Sequence, residues 1–408
     1  MLQTKQPVTI EKILEGGITS PKGFLAGGTH AGLRYAKKDV GMIVSEVPAA
    51  CAAVYTQSLF QAAPLTVTKE SVSVEQKIQA VIVNSACANA CTGEQGLKDA
   101  YEMRAKTAEK LSIEENLVAV ASTGVIGELL PMDKIRLGIA ALEPSELGAE
   151  DFQTAILTTD IVMKKACYET TVDGKKITIG GASKGSGMIH PNMATMLGFV
   201  TTDANIDSNL LQEALKSITN QTFNQITVDG DTSTNDMVLV MANGLAGNVP
   251  LTPDHPEWDN FYEALKRTCE DLAKEIARDG EGATKLIEVQ VKGASSKEEA
   301  NIIAKQIVGS NLVKTAVYGN DANWGRIIGA IGYSGVEVDV SNVDVSIGSI
   351  HMLIGSQPKT FSEEEATAYL KQDEVVIYVD LHQGDGVGTA WGCDLTYDYV
   401  KINASYRT

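Results

Sequence analysis

At 408 residues, 44% hydrophobic and 21% charged, the chain has the balance of an ordinary folded globule. It can bury a large core as two lobes or one large α/β unit, which excludes disordered and fibrous classes. A net charge of −18 argues against nucleic acid and anionic membrane surfaces as partners, so an anionic substrate would need local cations.

Strand character comes first along the chain. Phe24-Leu25-Ala26, Val40 to Val44 and Ala49 to Tyr55 are apolar runs between polar turns, and Val81-Ile82-Val83 is a further strand. Asn84 to Gly93 follows as a loop of small and amide residues, with cysteines at 87 and 91. The spacing of Leu97, Ala100, Met103, Ala108 and Leu111 predicts a helix over 96–111. Leu117 to Ala121 reads as a buried strand running into the turn Ser122-Thr123-Gly124-Val125-Ile126-Gly127, a place to expose backbone N–H groups. Helices are expected over 131–142 and toward Ile156, after which Thr158-Thr159-Asp160 ends the element.

The stretch Lys184-Gly185-Ser186-Gly187-Met188-Ile189-His190-Pro191-Asn192-Met193-Ala194-Thr195-Met196-Leu197-Gly198-Phe199 packs glycines, a lysine, a proline and a hydroxyl before an apolar run. Such a segment brings backbone close to a ligand and then re-enters a core. Beyond it come a helix over 209–218, a strand at 226–228 breaking into Asp229-Gly230-Asp231-Thr232-Ser233-Thr234-Asn235-Asp236, and a strand at 238–241. The longest helical pattern covers 258–278 and ends at Asp279-Gly280, where glycine suits a helix C-terminus. A strand at 286–291, a helix at 297–308 and a loop over 318–326 precede a C-terminal third read as short strands. The order of elements is α/β or α+β.

Scattered cysteines (Cys51, Cys87, Cys91, Cys167, Cys269, Cys393) and dispersed histidines complete no zinc spacing, so the thiols read as buried and reduced and no metal is expected. Met1 to Phe24 has no apolar h-region, and no stretch reaches the roughly 18 apolar residues of a membrane helix. The expectation is a cytoplasmic protein. Gly181 to Gly187 lacks the spacing of a Walker loop, and Gly384-Asp385-Gly386-Val387-Gly388 lacks GxGxxG.

Polar residues crowd at strand ends near Asn84, Thr123, Lys184 to Thr195, Asp229 to Asp236 and Gly319 to Arg326, which suggests loops sharing a cleft. No GxSxG elbow is present. A threonine can carry its own base if the peptide bond before it is cut, because the freed α-amine has a pKa of about 7.7–8.0 and sits beside Oγ. Residue chemistry alone leaves Thr195 open between a strand threonine and a nucleophile. It also leaves Lys184 as a solvated surface lysine and Glu281 as the cap of a helix beginning after Gly280.

Lys184 to Leu197 closely resembles the signature of the ornithine acetyltransferase family, bifunctional proteins of arginine biosynthesis. So do Ser122 to Gly127, Thr158 to Asp160, Asp229 to Asp236, Ala277-Arg278-Asp279-Gly280-Glu281-Gly282-Ala283-Thr284, Asn323-Trp324-Gly325-Arg326 and Ile402-Asn403-Ala404-Ser405-Tyr406-Arg407-Thr408. The resemblance spans nearly the whole chain and is nearest to the bacillus-type members. It implies a layered α/β/β/α fold similar to that of the self-processing aminopeptidases. It further implies self-cleavage between Ala194 and Thr195 into chains 1–194 and 195–408, which stay together as α2β2.

By the same resemblance, Thr195 attacks the acetyl group of N2-acetylornithine and passes it to glutamate, with Thr123 and Gly124 forming the oxyanion hole. Thr158, Lys184, Thr195, Glu281, Asn403 and Thr408 bind substrate, Lys184 through the α-carboxylate and Glu281 through the side-chain ammonium. Acetyl-CoA is implied as a second acetyl donor, with no bound cofactor or metal. The alternatives are an N-terminal-nucleophile aminopeptidase or amidohydrolase using water as acceptor, and a non-enzymatic amino-acid binding protein that never matures.

Overall fold

The computed structural model describes residues 8–190 and 196–405. Ala194, Thr195 and Thr408 lie outside them. In chain order the first strands are β1 (Ile10–Lys12), β2 (Phe24–Thr29), β3 (Val40–Tyr55), β4 (Lys77–Asn84), β5 (Val118–Ser122), β6 (Lys164–Val172), β7 (Lys175–Lys184) and β8 (Leu197–Thr202). They continue as β9 (Ile226–Thr227), β10 (Met237–Ala242), β11 (Leu286–Ala294), β12 (Asp344–Ile347), β13 (Ile350–Ile354), β14 (Gln357–Pro358), β15 (Glu374–Asp380) and β16 (Gly386–Cys393). The helices are α1 (Ala63–Glu75), α2 (Gly93–Leu111), α3 (Met132–Ala141), α4 (Ala149–Ile156), α5 (Ser208–Thr219) and α6 (Trp258–Arg278). After them come α7 (Lys297–Gly309), α8 (Asn311–Tyr318), α9 (Trp324–Gly332), α10 (Glu363–Leu370) and α11 (Tyr397–Ala404). The fold is α/β, with mixed sheets covered by helices.

Two compact units divide the described chain, and neither is continuous in sequence. The first takes residues 8–185, 196–220 and 232–272; the second takes 186–190, 221–231 and 273–405.

In the first unit the sheet runs β1-β6-β7-β8-β10-β3-β4-β5, with β2 also paired to β3. The central β8 lies antiparallel to β7 and parallel to β10, with Leu197 level with both Lys184 and Met237. Every residue of β8 and β10 is buried, which their near-continuous apolar sequences require. Strand alternation then sorts two cores. Val40, Met42, Ala80, Ile82, Val118 and Val120 meet α2 and α3 through Met103, Ile135 and Ile139. Ile43, Val81, Val83, Ala119 and Ala121 share the other face with Phe152 and Ile156 of α4. On α6, Phe261, Leu265, Thr268, Cys269 and Leu272 form a fully buried stripe at helical spacing.

The second unit has its own sheet, β14-β13-β12-β15-β11-β16-β9. Its core sets Ile287, Val289 and Val291 against Ile303, Ala304 and Ile307 of α7.

Several elements depart from the sequence reading. The segment 63–75 is a helix although five of its residues are Val or Thr, because Pro64 starts its first turn and Leu65, Val67, Thr68 and Ser71 are buried. The hairpin β6–β7 has no counterpart among the predicted elements. Its turn is Asp173-Gly174, both at positive φ (50° and 69°), the conformation favoured in two-residue hairpin loops. Trp324 to Arg326, expected as loop, opens α9, and the C-terminal third contains α10 and α11 as well as strands. The thiols are not all buried, since Cys91 is exposed. No helix among the described residues is long and apolar enough to cross a membrane.

Candidate active site

The loop after β5 is held from both sides. Ser122 Oγ donates to Asn84 Oδ1 at 2.5 Å, and Asn235 Nδ2 donates to the carbonyls of Ala88 (2.5 Å) and Ser122 (2.9 Å). The N–H groups of Thr123 and Val125 donate to Asn84 O (3.0 Å) and Ala86 O (2.8 Å). Between them, the Gly124 N–H has no acceptor among the described residues. Gly124 has φ +132°, and a Cβ would run into the Ala86 carbonyl and the Cys87 nitrogen. Only glycine can present an N–H there.

Lys184 closes β7 and is 8% exposed, so it is not the solvated surface lysine that its own chemistry suggested. Its Nζ donates to Thr123 Oγ1 at 3.3 Å. An ammonium has no acceptor capacity, so this contact occupies a lone pair of the hydroxyl and leaves the hydroxyl hydrogen free to point elsewhere.

Asp160 organises the other side of Lys184. Oδ1 accepts from Lys164 Nζ (2.7 Å) and from the Gly185 N–H (2.6 Å), while Oδ2 accepts from the Thr158 N–H (3.0 Å). Burial would raise this carboxyl. The charges of Lys184 and Lys164, with the hydrogen bonds from Lys164 and Thr158, nevertheless hold it well below the usual carboxylate range. Asp236, just before β10, goes the other way. Burial drives its carboxyl well above that range despite Ser233 and Lys184, and its Oδ2 has no partner among the described residues. Two carboxyls pushed in opposite directions around one lysine are a pattern typical of acid–base sites.

In the second unit, Glu281 is buried, and its N–H donates to Ser186 O at 3.0 Å. No helix begins after Gly280, so Glu281 is not a cap. Its Oε2 accepts from Asn403 Nδ2 of α11 at 2.7 Å. A Cβ on Gly187 would fall on the Glu281 carboxyl group, so the glycine makes room for that acid. Asp229 fastens the neighbouring turn, its two oxygens accepting the N–H groups of Met188 (2.7 Å) and Ile189 (2.9 Å), with Tyr399 Oη on Oδ2 at 3.2 Å. His190 Nδ1 lies 2.9 Å from Thr227 Oγ1. Burial, then the charge of Lys305, lower its pKa from 6.5 to about 4 against the pull of Asp229, so the imidazole is neutral at pH 7.

Two groups among the described residues have metal-like spacing, Asp173/His255/Glu257 and Asp344/Asp380/His382. In the first, His255 Nδ1 accepts the Glu257 N–H at 3.1 Å, which puts the ring proton on Nε2 and makes that nitrogen a donor to Asp173 rather than a metal ligand. In the second, the His382 ring sits between two carboxylates, Nε2 at 2.9 Å from Asp344 and Nδ1 at 3.6 Å from Asp380. Neither contains an expected site residue.

These features sit in a recognisable sequence frame, since a model of the ArgJ family matches residues 25–408. The chain belongs to the ArgJ family. It is 72% identical over 410 residues to the arginine biosynthesis bifunctional protein ArgJ of Geobacillus kaustophilus, all of both chains being covered. The namesake protein of Bacillus subtilis is 65% identical over 393 residues, covering 96% of this chain and 97% of its own. A crystal structure of ArgJ from Bacillus halodurans matches with a TM-score of 0.51 and 70% identity, covering 52% of this chain and 100% of that one. This ArgJ-family chain is thus an acyltransferase of arginine biosynthesis.

Of the residues expected from the sequence, Thr123, Gly124, Thr158 and Lys184 fall in one connected cluster of the first unit. Glu281 and Asn403 touch in the second. Asp160, Lys164, Asp229 and Asp236 were not assigned roles by sequence reasoning. Asp160 carries a legible signal, an acid beside two threonines at an element's end with a lysine four residues on.

Proposed function

We propose that this ArgJ-family enzyme moves an acetyl group from N2-acetylornithine to L-glutamate through an acetyl-Thr195 intermediate, in the cytoplasm, and that it also takes acetyl from acetyl-CoA. The observation that carries the reading is the Thr123–Gly124 turn, with one hydroxyl hydrogen and one N–H uncommitted side by side. Acyl transfer needs two such donors where the carbonyl oxygen becomes an oxyanion.

Thr195 Oγ attacks the acetyl carbonyl and its proton passes to the threonine's own α-amine. Thr123 Oγ–H and Gly124 N–H take the oxyanion. Collapse breaks the acetyl–N bond, and ornithine's α-nitrogen leaves with that proton. Glutamate's amine then attacks the acetyl-threonine, its surplus proton returns by the same amine, and Oγ is released. Lys184 pairs the substrate α-carboxylate, Glu281 the ornithine ammonium, and Thr158, Asn403 and Thr408 complete the binding set.

The α-amine must first be freed by a cut between Ala194 and Thr195, giving chains 1–194 and 195–408 that assemble as α2β2. Two observations support that division. In the first sheet, β8 and β10, which follow residue 195, lie between β7 and β3, which precede residue 194, so the fragments would share one hydrogen-bonded sheet. The matched B. halodurans chain also covers only 52% of this one while being matched in full, about the share that 195–408 makes up.

The deciding assay is ornithine release from acetylornithine with and without glutamate. Release that requires glutamate is expected; glutamate-independent release returns the amidohydrolase reading. Glutamate acetylation with acetyl-CoA alone tests the second donor.

A further inference from the structure

An ion pair sits inside the first unit with both side chains fully excluded from solvent: Lys164 Nζ to Asp160 Oδ1 at 2.7 Å. Buried pairs of this kind add little net stability, because removing two charges from water costs about as much as their attraction returns, and well-packed apolar pairs often do as well. The geometry around Asp160 supplies another role. Lys164 opens β6 and is paired in register with Ser183, the neighbour of Lys184. Asp160 stands in the turn after α4 and spreads its two oxygens over three segments: β6 through Lys164, the end of β7 through the Gly185 N–H at 2.6 Å, and its own turn through the Thr158 N–H at 3.0 Å. Lys184, next to Gly185, reaches Thr123 Oγ1 at 3.3 Å. An unbroken line of contacts therefore runs Thr158–Asp160–Gly185–Lys184–Thr123, with the carboxylate at its branch point and Lys164 as its counter-charge.

We propose that Asp160, seated by Lys164, is a positioning residue of the acyl-transfer site: it sets Thr158 and the Lys184–Gly185 peptide at a fixed separation, so that Lys184 meets substrate carboxylate and Thr123 together. The proposal rests on the functional reading given above. Asp160 itself touches no substrate; it acts through Lys184 and Thr158. An amide could accept on one atom only, its NH2 facing the Thr158 N–H as a second donor, and would leave Lys164 without a counter-charge, so an ionised carboxylate is the group the position needs.

The test uses the neutral pair Asp160→Asn/Lys164→Gln in the full chain, followed by a thermal melt and by steady-state kinetics of glutamate-dependent ornithine release. The readout is KM, which does not depend on the fraction of chains that have matured. The expected result is a melting temperature within about 5 °C of the parent, together with a KM for acetylornithine raised about tenfold or more. In a Lys184→Met/Thr158→Val background the same pair should add less than about twofold, because a residue acting through those two side chains is non-additive with them. A parent-like KM, or additive effects, overturns the proposal. Lys164→Arg covers the case in which the neutral pair does not fold: it keeps the charge while moving Asp160, and unchanged KM in that folded variant also overturns it. Parent enzyme that releases ornithine without glutamate would sink the transferase reading instead, and leaves the KM comparison to judge Asp160 by itself.

Discussion

Asn403 Nδ2 donates to Glu281 Oε2 at 2.7 Å, joining the turn after α6 to a helix that starts more than a hundred residues later. The amide occupies one carboxylate oxygen and leaves the other for a ligand cation. Glu281→Gln is expected to raise KM for acetylornithine by about tenfold or more, the worth of one charge-assisted contact, with a smaller rise for Asn403→Ala. Parallel titrations of both variants check this; an effect of Asn403→Ala as large as that of Glu281→Gln would overturn the ranking of the carboxylate as the main contact of the substrate ammonium.

Gly187→Ala offers an indirect version of the same experiment. Gly187 is not among the positive-φ glycines, so alanine strains no backbone there, yet its methyl would lie on the Glu281 carboxyl. KM for acetylornithine should rise while the melting temperature falls little. Steady-state kinetics with a wild-type KM would show that Glu281 has room to retreat.

Thr195→Ala should abolish both cleavage and transfer. A denaturing gel should show one band at 43.4 kDa in the variant and two near half that mass in the parent. An intact-mass spectrum of a processed, active variant would refute the assignment of the nucleophile.

Thr123→Val keeps shape and removes the hydroxyl donor. A loss of about 10²–10³ in kcat is expected, the usual cost of one oxyanion-hole donor, with KM altered far less. If kcat is retained, the Gly124 N–H works with some other partner.

His190 should make the second unit sensitive to mild acid. Its folded pKa of about 4 lies below the unfolded value of 6.5, so between those values the unfolded chain binds a proton that the folded chain refuses. The stability it contributes is complete above pH 6.5 and drains away as pH falls toward 4. Calorimetry at pH 7 and pH 4.5 should find a smaller drop in Tm for His190→Gln than for the parent. An equal drop would assign the acid sensitivity to other groups.

Helices with an apolar stripe could be read directly. The bounds of α6 follow from Phe261, Leu265, Cys269 and Leu272, and α5 from Leu211, Leu215 and Ile218. By contrast, α1 is rich in β-branched residues, and its helicity is a tertiary outcome of packing that local propensity opposes. Two missed elements did carry local signals: Asp173-Gly174 for the β6–β7 hairpin, and for α10 the Ser362…Glu365 spacing, where Ser362 Oγ accepts the Glu365 N–H at 3.2 Å. At the candidate site, residue types were legible but surroundings were not. By residue chemistry Lys184 is an ordinary charged residue and Asp160 shows only its spacing to Lys164, whereas their burial and their contacts with Thr123 and Lys164 come from the fold.

The placement of β8 and β10 between β7 and β3 sets an order of events. Neither 1–194 nor 195–408 can complete the first sheet alone, so the strand pairings that bracket the proposed scissile bond exist only after the intact chain has folded. Cleavage would then act as a proofreading stamp, in which only correctly assembled precursors acquire a nucleophile and misfolded ones stay inert. For protein production, it follows that mixing the two separately expressed halves should yield far less active enzyme than expressing the precursor.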